Sequence, residues 1–144
     1  MNLGLLGSFL VFIISVFGSA WGILILGQVT VGTWKKGFMA NKPAAMILLA
    51  FTGNPLTQIF YSYILLVNIK SAALLHPENG FIYLVVGLFL GILIGFTAVV
   101  QGKIGAVAVE AIGETGKGFA PFYAVMGIAE TTALFAMVFT LISL

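Results

Sequence analysis

The chain has 144 residues, of which 61% are hydrophobic and 7% charged. A water-soluble domain carries roughly a quarter charged residues, so this sequence cannot cover a water-facing surface and takes the lipid bilayer as its solvent. Six Lys against four Glu leave a net charge of +2, too sparse for a nucleic-acid footprint, and the lack of Cys excludes disulfides and Cys-ligated metals.

The first apolar run, residues 3–33, contains no charge. No basic segment precedes it and it is too long for the apolar core of a cleaved signal, so it is expected to be a retained spanning helix. A second run covers residues 43–68. A third starts near Gly80, is apolar to Val100 and continues with smaller residues to about Gly113. A fourth covers residues 119–143. Each exceeds the ~20 residues needed to span a hydrocarbon core, and runs without alternation cross a bilayer as helices. The expected fold is therefore all-α, with four transmembrane helices. They form two tandem hairpins, residues 1–73 and 74–144, the second carrying the ion-binding carboxylate.

The expected connections are short and polar: residues 34–42, 70–79 and 113–118. Lys35, Lys36 and Lys42 lie in the first and Lys117 in the third, whereas Glu78 offsets Lys70 in the second. The positive-inside rule puts loops 34–42 and 113–118 in the cytoplasm and both termini outside. Glu110 and Glu114, near the cytoplasmic end of the third helix, read as surface charges or contacts to a soluble partner. His76, beside Pro77, reads as a solvated loop residue.

The two halves resemble each other. "GSAWGILILGQVTVGTWKKG" (residues 18–37) and "TAVVQGKIGAVAVEAIGETGKG" (residues 97–118) share glycine placement and a terminal Lys-Gly turn. "GNPLTQ" (residues 53–58) aligns with "GIAETT" (residues 127–132), which sets Leu56 opposite Glu130. Gly87, Gly91 and Gly95, extended by Ala98, Gly102 and Gly105, form a small-residue stripe on the third helix. Gly18, Ala20, Gly22, Gly27 and Gly32 do so on the first. Small residues let helices approach closely in lipid, where apolar burial contributes little to association. The bulky aromatics of the second and fourth helices then suggest a curved assembly, with the first and third helices inside it.

Few polar side chains lie deep in the spans. The second helix supplies Asn54, Thr57, Gln58 and Tyr61, the third Gln101, and the fourth Glu130, Thr131 and Thr132. An ionised carboxylate at the bilayer centre costs about 2.5–3.5 kcal/mol on insertion scales, so an intramembrane Glu is a functional site by default. No basic residue lies at its depth, and the neutralising partner is a proton or a metal cation. Two amide oxygens, a Thr hydroxyl and a carboxylate make a hard oxygen set suited to an alkali cation. Tyr61 is placed to donate its hydroxyl to Glu130. Pro55 has no N–H and loosens the helix locally, which frees backbone oxygen.

With "NPLTQIFY" in the second helix, "VVQGK" in the third and "AETTA" in the fourth, the chain resembles the proteolipid rotor subunit of vacuolar-type rotary ATPases, most closely the sodium-translocating bacterial branch. The resemblance implies a homo-oligomeric ring in a bacterial cell membrane. It implies a Na⁺ site made by the backbone carbonyl of Asn54, by Thr57, Gln58, Gln101 and Glu130, with Tyr61 bonding the Glu. It also implies a stator subunit that supplies an Arg, central-stalk subunits at the cytoplasmic loops, and no bond chemistry in this subunit. Leu56 and Asn54 depart from the family pattern, which has Gly and commonly an apolar residue there. A proton-carrying rotor is the alternative. A small four-helix multidrug antiporter fits less well, because its essential Glu lies in the first helix, where this chain has none.

Overall fold

The structure is a computed structural model that describes residues 2–144. Among those residues, four helical spans are long and apolar enough to cross a membrane, and no strand occurs. The first span is α1 (Leu3–Met39). The second consists of α2 (Leu48–Gly53), a 3₁₀ turn (Asn54–Leu56) and α3 (Thr57–Leu75). The third is α4 (Gly80–Thr115), entered through a 3₁₀ turn at Pro77–Asn79, and the fourth is α5 (Phe119–Ser143).

The helices outrun the apolar segments. Lys35 and Lys36 are helical within α1, Lys70 lies in α3, and the first connection is 40–47 rather than 34–42. Lysine is a good helix former, and its long stem lets the ammonium reach water from a helical position, so a charge marks the membrane edge without ending the helix. The ends carry their own signals. Asn2 caps α1, its Oδ1 accepting from the amides of Gly4 and Leu5 at 3.1 and 3.2 Å. Gly116 stops α4 in the left-handed region, at φ 67°, a conformation open to glycine without steric penalty.

α1 and α4 share the most extensive helix interface; α3 lies against α1 and α5 against α4. Buried positions on α1 run Gly4, Ser8, Val11, Ser15, Ser19, Gly22, Leu26 and Thr30. Those on α4 include Gly80, Gly87, Gly91, Ile94, Ala98, Gln101, Gly105, Ala108 and Ile112. Steps of three and four keep one face toward one partner. The backbones meet closely enough that a Cβ on Gly87 would fall on the carbonyl of Gly7, one on Gly18 on the backbone of Gly95, and one on Gly102 on the backbone of Gly22. The α4 stripe thus lies where its spacing puts it. The α1 stripe is corrected: Gly27 and Gly32 face open space and Ala20 is exposed, because the seam there runs through Ser15, Ser19, Leu26 and Thr30. Aromatic bulk does not separate inner from outer helices either. Phe17 and Trp21 on α1 and Phe89 and Phe96 on α4 are as exposed as Phe60 on α3 and Phe135 on α5.

Two apolar clusters fill the bundle. One gathers Val11, Leu65, Ile69, Tyr83, Ile94, Ala133 and Met137. The other gathers Leu26, Leu48, Phe51, Ala108, Val109, Ile112 and Met126. Between them on successive spans lie the buried polar residues Ser15 and Ser19, then Asn54, Gln58 and Ser62, then Thr97 and Gln101. On the fourth span, half-buried Glu130 falls between Met126 and Ala133. The fold therefore places one polar layer between two apolar ones.

A candidate cation site in the polar layer

The second span breaks where its sequence requires it. Pro55 cannot donate to the carbonyl of Phe51, and its ring crowds that oxygen; the amide of Asn54 turns to Phe51 instead. A 3₁₀ turn follows. Ser19 on α1 donates to the carbonyl of Pro55 at 2.7 Å, which fastens the break to the first span.

The six residues expected at the site fall into three pairs. Thr57 Oγ1 donates to the carbonyl of Asn54 at 2.9 Å, and the Thr57 amide donates to the same oxygen. Gln58 Nε2 donates to Gln101 Oε1 at 3.1 Å, with both side chains fully buried. Tyr61 Oη donates to Glu130 Oε1 at 2.7 Å, the length of a strong charge-assisted bond. Among the described residues, no side-chain hydrogen bond joins one pair to another, and the ion pairs are Lys36–Glu110 and His76–Glu78, so no basic side chain neutralises Glu130. Thr131 bonds back to the carbonyl of Gly127 at 2.7 Å, and Thr132 is exposed. Of the polar residues on α5 singled out from the sequence, Glu130 alone is bonded to the second span.

Three further residues belong to the layer. Besides Ser19, Thr97 Oγ1 lies 3.3 Å from Gln58 Oε1 and 2.7 Å from the carbonyl of Ile94. Tyr123 Oη donates to Asn54 Oδ1 at 3.1 Å. Helical spacing held the signal for two of them: Thr97 is four residues before Gln101, and Tyr123 is seven before Glu130, each on a shared face. Tyr123 also joins an aromatic group, 5.3 Å from Phe51 and 5.5 Å from Phe119 between ring centroids.

The donor set is all oxygen: one carboxylate, two side-chain amides, a hydroxyl and a backbone carbonyl at a helix break. Hard cations take such ligands. Two buried amide nitrogens, Asn54 Nδ2 and Gln101 Nε2, have no hydrogen-bond partner. Buried polar atoms are usually satisfied, so the layer has bonding capacity left over.

Residues 84–143 match the ATP synthase C-subunit family. The matched stretch lies within α4 and α5. It contains Gln101 and Glu130 and leaves out the span that holds Asn54, Thr57, Gln58 and Tyr61. No curated protein matches the chain. The C-subunit family comprises non-catalytic ring components of rotary ATPases.

Proposed function

We propose that the chain is the ring-forming proteolipid of a vacuolar-type rotary ATPase and that Glu130 carries Na⁺. The observation that carries this reading is the buried Gln58–Gln101 amide pair in the layer that holds the lone intramembrane carboxylate. A proton on Glu130 needs one carboxyl and an acceptor. Two fully buried amides in the same layer, one of them with an unpartnered nitrogen, exceed what a proton requires, and a Na⁺ ion would use their oxygens. Asn54 contributes its backbone carbonyl and Thr57 its hydroxyl, while Tyr61 holds the carboxylate in place.

The vacuolar type is favoured by the ratio of spans to carboxylates. Four spans carry one carboxylate, with Leu56 where the first hairpin aligns with Glu130. We read the halves 1–73 and 74–144 as duplicated hairpins, with both termini outside and the lysine-bearing connections in the cytoplasm against central-stalk subunits. Identical subunits close into a ring, and a stator Arg displaces the ion as Glu130 passes it. Fewer ions per turn allow each ATP to work against a steeper gradient.

A carbodiimide tests the ion. The reagent attacks a protonated carboxyl, and bound Na⁺ keeps Glu130 ionised. Sodium is expected to slow labelling of Glu130 in purified rings, and potassium to do so poorly. Labelling that sodium does not slow at any pH assigns a proton to the site instead.

A further inference from the structure

Thr97 has one hydroxyl proton and two oxygens within reach. Its Oγ1 is 2.7 Å from the carbonyl of Ile94 and 3.3 Å from Gln58 Oε1. The shorter, intrahelical contact takes the proton. Toward Gln58 the hydroxyl is then left with lone pairs alone, facing an amide oxygen that also has only lone pairs. At the far end of the same row, fully buried Gln101 Nε2 has no partner.

One movement removes both faults. The two ends of a side-chain amide are nearly equal in size, so turning it over takes no extra space. With the Gln58 and Gln101 amides both turned, Gln58 Nε2 donates to Thr97 Oγ1 and Gln101 Nε2 donates to Gln58 Oε1. Thr97 keeps its bond to Ile94. Both amide nitrogens of the row are now partnered. Gln101 Oε1 occupies the place of the unpartnered nitrogen and presents free lone pairs in the buried polar layer. A cation repels the first arrangement and stabilises the second.

We infer that Thr97 is a positioning residue for the cation site: by accepting the Gln58 amide, it directs the row so that Gln101 offers its oxygen to the ion. The inference rests on the proposed Na⁺ site. Thr97→Val keeps the shape and removes the acceptor, so the reversed row leaves Gln58 Nε2 bare. The sodium concentration that half-protects Glu130 from carbodiimide in purified rings is expected to rise roughly tenfold. Thr97→Ser is expected to behave as the native protein. The sodium-free labelling rate against pH is expected to stay unchanged in both, because no bond joins Thr97 to Glu130, whereas a general packing defect shifts it. Thr97→Ala removes the same acceptor with a smaller side chain and is read the same way if Thr97→Val rings do not assemble. Native-like half-protection without the acceptor overturns the inference, as does a Thr97→Ser loss equal to that of Thr97→Val. Absence of sodium protection in the native ring instead overturns the Na⁺ reading on which the inference stands.

Discussion

Tyr123 on α5 donates to Asn54 at the break in the second span, across the same two spans that Tyr61 bridges in the opposite sense to reach Glu130. On each span the two bonded positions, Asn54 and Tyr61 or Tyr123 and Glu130, lie seven residues apart, roughly two helical turns. Buried contacts from α5 are few, limited to Met126, Ala133 and Met137, so these two bonds set its register on the second span. Tyr123→Phe leaves the buried Asn54 amide without its partner and is expected to cost about 1–3 kcal/mol. Adding Asn54→Leu removes the stranded group and should recover part of that loss. A double-mutant cycle on ring dissociation temperature measures it; additive losses refute the coupling.

Tyr61→Phe deletes the bond to the carboxylate and leaves the ring in place. A hydrogen bond to a charged group is worth about 1.5–3 kcal/mol. Sodium affinity is therefore expected to fall on the order of tenfold or more, read as the concentration that half-protects Glu130. An unchanged value detaches Tyr61 from ion holding.

Gln101→Ala and Thr57→Ala each remove a proposed ligand and keep a protonatable Glu130. Both are expected to weaken sodium binding by roughly tenfold or more, with labelling in the absence of sodium retained. Native sodium protection in both variants makes these side chains helix contacts only.

Acid acts through competition. At the proposed site sodium and a proton would compete for the same carboxylate oxygens, so ion binding would release a proton and lower pH would weaken it. Lowering the pH is therefore expected to raise the sodium needed for half-protection of Glu130. A requirement flat across the whole range separates the ion from Glu130.

Helix packing yields a graded prediction. A Cβ on Gly87 falls on the Gly7 carbonyl, while one on Gly91 meets its nearest atom, the Leu10 carbonyl oxygen, at 3.0 Å. Overpacking a filled seam costs about 1–3 kcal/mol. Gly87→Ala should therefore lower the unfolding temperature in detergent more than Gly91→Ala does. The reverse order contradicts the seam.

Much of this was legible in the sequence because lipid restricts the choices. Apolar runs had to be helices, and one carboxylate among them had to be neutralised. The Tyr61–Glu130 pair followed from a donor and an acceptor at matching depth. Other features depend on local chemistry that hydropathy does not register. Thr30 folds its hydroxyl back onto the carbonyl of Leu26 at 2.9 Å and so packs without a free donor, which carries the α1 seam past Gly27 and Gly32. The pairing of Tyr123 with Asn54 depends on how α5 is rotated, and that rotation is set in three dimensions. The role of Thr97 emerges only when its single proton is assigned between two acceptors.

The apolar clusters above and below the polar layer seal the protein along its length. Glu130 has Leu65, Ile94 and Met137 on one side and Leu26, Phe51 and Met126 on the other. The carboxylate is half-buried, on the span with the fewest buried residues. Its open direction is sideways. In the proposed rotor it would behave like a bucket on a wheel, filled and emptied over its rim, with passage across the membrane produced by moving the whole protein past a fixed wall.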